Sequence, residues 1–265
     1  MHEKERHSAI LQAVKERPVV TLEELVALTD SSEATVRRDI TALDAQNQLR
    51  RIRGGCTAMN QTAHLAGTPF SVNATKHVAQ KRAIARAAAD LCRDGEPIII
   101  NGGTTTSQMV QFLTARVMPV FTNSLPIAEH LLKHSKNHVT LPGGTIYREQ
   151  NIILSPFEND MTQNFSARRM FTSAQGIGPF GVMESDPLLI LAEQKLLAQA
   201  DELIVLADSS KFRQHSSLVL CKLSRVNVVI TDSGIEDREA QVLREAGVML
   251  MIVDVEGVRD STLSA

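Results

Sequence analysis

Between residues 76 and 253, short apolar runs alternate with segments of helical period, and this alternation constrains the fold more than any other feature of the sequence. The spacing predicts helices over Val78–Cys92, 105–114, Pro126–Lys133, Leu188–Ala200 and 235–246. It predicts strands over Pro97–Ile100, Val117–Phe121, Val139–Leu141, Arg168–Ser173, Leu203–Ala207, Val226–Thr231 and Val248–Val253. Strands that are apolar throughout, with helices between them, need cover on both faces. The expected architecture is therefore α/β, an open and largely parallel sheet.

Such sheets bind ligands beyond the carboxyl ends of their strands, and the segments expected there are polar. They read Asn101-Gly102-Gly103-Thr104-Thr105-Thr106, Thr122-Asn123-Ser124, Pro142-Gly143-Gly144-Thr145 and Asp208-Ser209-Ser210-Lys211. Two glycines let backbone amides approach a ligand, and hydroxyls at a helix N-terminus favour an anion, most simply a phosphate. No lysine follows the glycines, so this is not a P-loop. One such loop is equally a plain glycine turn with a threonine cap; the convergence of four is what points to a site.

The first 56 residues follow a different plan. Ile10, Leu11 and Val14 form the stripe of a helix from Lys4 to Glu16, which Pro18 ends. Thr21-Leu-Glu-Glu24 has the form of a capping box for a short helix over Leu22–Leu28. After the turn Thr29–Ser32, a third helix runs from Glu33 to Gln46, with Val36, Ile40 and Leu43 on its buried face. That leaves Glu33, Thr35, Arg37, Arg38, Thr41 and Asp44 facing outward, and with Ser32 of the turn all but Asp44 are candidate DNA contacts. Leu49-Arg50-Arg51-Ile52-Arg53, followed by Gly54-Gly55, reads as the strand and turn of a wing. Residues 37–53 hold five arginines against two aspartates, in a chain whose net charge is −2. A helix fits the major groove of DNA, where Arg37 or Arg38 can fork onto guanine O6 and N7. Arg50, Arg51 and Arg53 suit the phosphate backbone. An arginine pair alone is equally a solvated helix face; the turn, the apolar stripe and the basic wing together favour DNA.

The stretch Val20 to Ile40, containing Ala34-Thr-Val-Arg-Arg-Asp-Ile40, and the later Leu43, Asp44, Leu49, Arg51, Arg53, Gly54 and Gly55 resemble the DNA-binding signature of the DeoR family of bacterial transcriptional regulators. Asn101–Thr106, Thr122–Ala128, Gly143–Thr145, Glu193 with Lys195, and Asp208–Phe212 resemble that family's effector domain. The resemblance implies a winged helix-turn-helix over 1–56, a linker over 57–75, and over 76–265 a sensor domain similar to ribose-5-phosphate isomerase. It implies double-stranded operator DNA and a phosphorylated sugar or sugar acid as partners. It further implies a homo-oligomer, dimer or tetramer, whose heads occupy paired half-sites until the ligand releases them. Within the linker, Pro69, Phe70 and Asn73 match a segment common in the family, and that half can equally pack on the next domain. Departures from the pattern are Asn101, where an aspartate is usual, and Gln80, where a glutamate usually precedes Lys81. Met170–Gly178 and Leu154-Ser-Pro156 resemble the branch near the ascorbate-utilisation repressor.

On this reading Gly102, Gly103, Thr104 and Thr105 cradle the phosphate, and Lys211 supplies the compensating charge. Asn123, Glu193 and Asp208 hydrogen-bond the sugar, and Asn101, Gly143 and Gly144 are expected in the same site. The rival class is a sugar-phosphate isomerase or deaminase with an added DNA-binding domain, for which Glu193, Asp208 and Lys211 are suitable types. The Ala174–Ile177 stretch lacks the paired acids such chemistry wants, so no catalytic residue is expected. A scaffold would not require four polar strand-end loops. No cofactor or metal is expected either. His130, His134 and His138 recur every four residues, but Ser135–Asn137 reads as a helix end that takes His138 off the face.

Composition narrows the setting. The sequence has 265 residues, 43% of them hydrophobic, with no tryptophan and one tyrosine, which argues against a stacking platform for single strands. Its longest apolar run, Val248–Val253, is far short of a membrane span of about 20 residues. The charged N-terminus and three scattered cysteines suggest a cytoplasmic protein with reduced thiols. Met249 and Met251 are expected in the core.

Overall fold

The computed structural model describes residues 2–16, 19–46, 48–52, 54–58, 69–157 and 159–255. The chain divides into two units, Met1–Leu65 and Ala66–Ala265.

In the first unit, α1 (Glu3–Glu16), β1 (Val19–Thr21), α2 (Leu22–Thr29) and α3 (Glu33–Ala45) precede a hairpin of β2 (Leu49–Ile52) and β3 (Gly55–Ala58). The capping box forms at Thr21: its hydroxyl accepts from Glu24 N, while the Glu24 carboxylate accepts from Thr21 N. Ser32 caps α3 through Thr35 N. The core is built from Ile10, Leu25, Val36, Ile40, Leu43 and Leu49, all buried. β1 pairs antiparallel with β3, so the wing is stitched to the body of the unit. Gly54 has φ +86°, a region that favours glycine, and a Cβ on Gly55 would overlap the Val20 carbonyl oxygen.

The second unit begins with α4 (Phe70–Ala74) and α5 (Val78–Asp90). Of the stretch expected as a linker, 57–75, Thr57 and Ala58 therefore belong to β3 and 70–74 is helical, while 59–68 lie outside the described residues. The sheet strands are β4 (Ile98–Ile100), β5 (Pro119–Thr122), β6 (His138–Thr140), β9 (Ala167–Thr172), β12 (Ala200–Leu206), β14 (Val228–Asp232) and β15 (Met249–Val253). Their order is β15-β14-β12-β9-β4-β5-β6, and every pairing is parallel. α6 (Thr106–Met109), α7 (Leu125–His134), α8 (Pro187–Leu197) and α9 (Asp237–Glu245) complete the helices. One apolar layer gathers Met170, Leu203, Val205 and Val229 under α8 and α9; the other gathers Ile98, Ile100, Val120 and Ile204 under α5, α6 and α7. The sheet is thus covered on both faces, as the alternation implies.

Outside that sheet, β7 (Thr145–Tyr147) and β8 (Ile152–Leu154) form an antiparallel hairpin. β10 (Gly176–Gly178), β11 (Gly181–Glu184) and β13 (Leu218–Cys221) form a small antiparallel sheet. None of these five strands is expected from the alternation. The helix expected over 105–114 is divided, with α6 giving way to a 3₁₀ turn at Val110–Phe112. Met249, expected in the core, is exposed on the edge strand. Among the described residues no helix is long and apolar enough to cross a membrane.

Candidate DNA interface and effector pocket

In the first unit α3 turns Val36, Ile40 and Leu43 inward and leaves Glu33, Arg37, Arg38 and Thr41 exposed. Thr35 is half-buried, and the hydroxyl of Ser32 is already engaged as the cap. Arg37 is held by Glu33 one turn earlier, Nη2 to Oε1 at 2.5 Å. Arg38 and Arg50 are exposed and make no hydrogen bond or ion pair among the described residues, so both are free to reach outward. Arg51 instead braces the wing: its amide donates to Asp44 Oδ1 at 3.1 Å and its Nη1 to Thr41 Oγ1 at 3.2 Å. Arg53 lies outside the described residues.

Asp39 is the residue that the charge tally misjudges. It is buried, and its carboxylate takes Arg6 Nε at 2.7 Å and His7 Nε2 at 3.1 Å. Burial alone would raise its pKa, but the hydrogen bonds from Arg6 and His7 outweigh that and hold it below the ordinary value. Asp39 therefore clamps α1 to α3 and does not offset the outward arginines. The spacing contains the signal, since position 39 falls inside the Val36, Ile40, Leu43 stripe.

In the second unit the parallel strands bring their carboxyl ends to one edge. There Gly102, Gly103, Thr104 and Thr105 after β4, Ser173 and Gln175 after β9, and Lys211 after β12 line one cavity. The Gly102 amide donates to Asn123 Oδ1 at 2.8 Å, and Thr106 Oγ1 donates back to Asn101 O, which fixes the loop. A Cβ on Gly103 would overlap the Ser173 hydroxyl, so the loop closes to this shape only with glycine there. Lys211 Nζ donates to Gln175 Oε1 at 3.3 Å. Burial lowers its pKa, partly countered by the charges of Asp208 and Glu184.

Asn101 is only 1% exposed and works behind the cavity wall. Its Nδ2 donates to Glu193 Oε1 at 2.7 Å and to Thr172 Oγ1 at 2.9 Å. Glu193, on α8, lines the cavity together with Glu184 at the end of β11. Burial pushes the Glu184 carboxyl up to about 7. Burial, and then the Glu184 charge, push Glu193 well above the ordinary carboxylate range.

The other expected positions are placed differently. Asn123 is buried and supports Gly102, off the cavity. Asp208 is buried, and its Oδ1 caps the 3₁₀ turn Ser209–Arg213. Gly143 and Gly144 are exposed and do not line the cavity. Lys195 turns away to the carbonyl of Phe157, 2.5 Å away. Contributors beyond the sequence reading include Glu184, Gln150, Ser173, Gln175 and α4, which supplies Phe70 and Asn73. Lys81, buried beneath α4, donates to Asn73 O and holds that helix in place. His130 and His134 stack at 4.7 Å between ring centroids on α7, while His138 lies on β6. Among the described residues no group of three or more His, Cys, Asp or Glu side chains could hold a metal.

A winged helix-turn-helix and a parallel α/β unit with a polar pocket at its strand ends, carried on one chain, define a transcriptional regulator with a sensor unit. Residues 6–62 match the DeoR-like helix-turn-helix domain and residues 76–233 the DeoR C terminal sensor domain; the chain belongs to the DeoR family. It is 31% identical over 253 residues to the HTH-type transcriptional regulator UlaR of Shigella dysenteriae serotype 1 (strain Sd197), covering 96% of this chain and 100% of that one. The same identity and coverage hold for UlaR of Escherichia coli O127:H6 (strain E2348/69 / EPEC). Among solved structures, ribose 5-phosphate isomerase A of Methanocaldococcus jannaschii aligns with a TM-score of 0.37 and 15% identity, over 50% of this chain and 53% of that one. The relatives are named as regulators. The chain is a regulator and not an enzyme, and the isomerase alternative is set aside.

Proposed function

We propose that the chain represses a carbohydrate or sugar-acid catabolic operon and leaves its operator when a phosphorylated sugar or sugar acid fills the α/β pocket. The observation that carries this reading is the division of labour along α3. Its inward stripe is consumed by the core, its outward face offers an unengaged Arg38, and the wing offers an exposed Arg50. Arg38 suits base edges, and Arg50, with Arg53, suits phosphates. For the ligand, the backbone loop Gly102–Thr105 and Lys211 supply donors and charge for a phosphate.

The chain acts as a homo-oligomer, dimer or tetramer, because one small head grips DNA weakly and two linked heads multiply that grip. A second copy is the occupant that fits the apolar outer face of α8 and the β7–β8 hairpin. Ile146, Leu188 and Leu191 are 55%, 52% and 60% exposed there.

The test is titration of a fluorescent promoter fragment from the chain's own locus, with and without sugar phosphates. Arg38→Ala should weaken operator binding by about 1–3 kcal/mol and relax preference at one base pair. Lys211→Ala should bind DNA normally and lose the ligand response. Unchanged operator affinity for Arg38→Ala, or a normal response for Lys211→Ala, refutes the corresponding assignment.

A further inference from the structure

The wall of the pocket formed by β11 and α8 is acidic and under-used. Glu193 is 5% exposed; Asn101 occupies its Oε1, while Oε2 faces no hydrogen-bond partner among the described residues. Glu184, 7% exposed, lines the same cavity; the Ser185 amide donates to its Oε2 at 3.1 Å, and the Gln175 amide also acts on its carboxylate. Asn101 Oδ1, behind them, is also buried without a partner. The charged and titratable groups acting on the pair come from every neighbouring element. Lys211 lies on the 3₁₀ turn after β12, Asp186 at the start of α8, and Cys221 on β13. Asp186 is itself committed to Tyr147 Oη at 2.7 Å and to the amide of Leu188. One lysine therefore stands against two buried carboxyls, and on this wall Glu193 Oε2 is left with capacity to accept.

We propose that Glu184 and Glu193 set the pocket's specificity: the end of the ligand remote from its phosphate carries hydroxyl donors, and a carboxylate at that end is rejected. This rests on the sugar-phosphate reading above. A hydroxyl donated to Glu193 Oε2 satisfies a buried acceptor that otherwise stays orphaned. A ligand carboxylate in the same place sets a further negative charge against the buried acidic pair in a low-dielectric wall and brings no donor. Protonation of the pair relieves the repulsion, so the discrimination weakens in acid.

The experiment uses the full chain and matched pairs of open-chain probes that differ only at the remote carbon: glucitol 6-phosphate against 6-phosphogluconate, and ribitol 5-phosphate against 5-phosphoribonate, the alditol being the neutral sugar of each pair. Affinities are measured by calorimetry at pH 8 and pH 6. The phosphate titrates alike within each pair and cancels from the ratio. The expected result is that the neutral sugar binds at least tenfold tighter at pH 8 in any pair that binds. That ratio should shrink at pH 6, and it should also shrink at pH 8 in Glu184→Gln. Equal or tighter binding of the aldonate at pH 8 overturns the proposal while leaving the sugar-phosphate reading in place. Absence of binding by every probe at millimolar concentration removes that reading, and the proposal with it. The wild-type ratio needs no variant, so misfolding of Glu184→Gln does not rescue the idea.

Discussion

Replacing Asn101 by aspartate tests the geometry of the pocket wall directly. The amide Nδ2 donates twice, to Glu193 Oε1 at 2.7 Å and to Thr172 Oγ1 at 2.9 Å, from a site with 1% exposure. An aspartate has the same shape but no donor unless it is protonated. Losing the bond to Thr172 costs about 1 kcal/mol at any pH. Facing Glu193, the new carboxyl either keeps a proton or places two negative charges in contact, so its folded pKa rises above its unfolded value of about 3.9. A raised carboxyl pKa means the folded state binds more protons. Its penalty is small below the unfolded pKa and grows as pH rises through the folded one. With a rise of about two units, the total loss is about 1.5 kcal/mol at pH 4 and about 4 kcal/mol at pH 8. The chain lacks tryptophan, so urea unfolding is followed by far-UV circular dichroism for wild type and Asn101→Asp at both pH values. A loss that does not change with pH, or no loss at pH 8, would show that Asn101 does not donate to the Glu193 carboxyl.

Three further outcomes are expected. The Glu184 carboxyl, raised by burial to about 7, contributes stability that is complete below pH 4.5 and falls by roughly 3 kcal/mol as pH climbs to 7; Glu184→Gln should flatten that slope in the same denaturation series. Leu191→Asp places a charge on the exposed apolar face of α8; light scattering should show a smaller particle, and far-UV circular dichroism an intact fold. Gly55→Ala drives a methyl group into the Val20 carbonyl at the β1–β3 pairing, which should cost about 1–3 kcal/mol in the helix-turn-helix unit and weaken operator binding, with sugar-phosphate binding unaffected.

What the sequence revealed, and what it hid, follows from the range of the interactions. Parallel strands buried on both faces are apolar throughout, so Pro97–Ile100 and Leu203–Ala207 announced the sheet, and the polar residues closing each strand announced the pocket edge. The capping box at Thr21 and the stripe on α3 are local and were legible for that reason. The strands β7, β8, β10, β11 and β13 are three or four residues long and form only small antiparallel ladders, leaving no period to read. Glu184 was hidden by the same cause. It ends one of those short strands, and pairing with β10 and, at Glu184 itself, with Leu218 of β13 carries it to a cavity whose other acid, Glu193, lies on a helix. Gly143 and Gly144 misled in the opposite direction: their composition matches that of Gly102 and Gly103, but the chain takes them into an exposed turn before β7.

On the proposed reading, α8 is the element through which a ligand in the pocket would act on paired DNA-binding heads. Its inner side gives Leu189 and Glu193 to the cavity, while Leu188 and Leu191 stand on the opposite, exposed side. Asp186 caps its first turn through Leu188 N at 2.8 Å and accepts from Tyr147 Oη at 2.7 Å, so the helix and the β7–β8 hairpin are tied at one end. Gln150 and Ile152, from that hairpin, also line the cavity. A ligand that engages Glu193 and Gln150 thus pulls on both elements that form the apolar face. Helices in packed interfaces move as rigid bodies between discrete arrangements. If a second copy of the chain rests on that face, displacement of α8 re-seats the partner and changes the separation of two heads that must match fixed half-sites. The ligand can drive this only to the extent that it binds one arrangement better than the other. On the proposed reading, the contacts that would differ between arrangements are those at the shared helix, and Glu193 would be the point where ligand recognition and oligomer geometry meet.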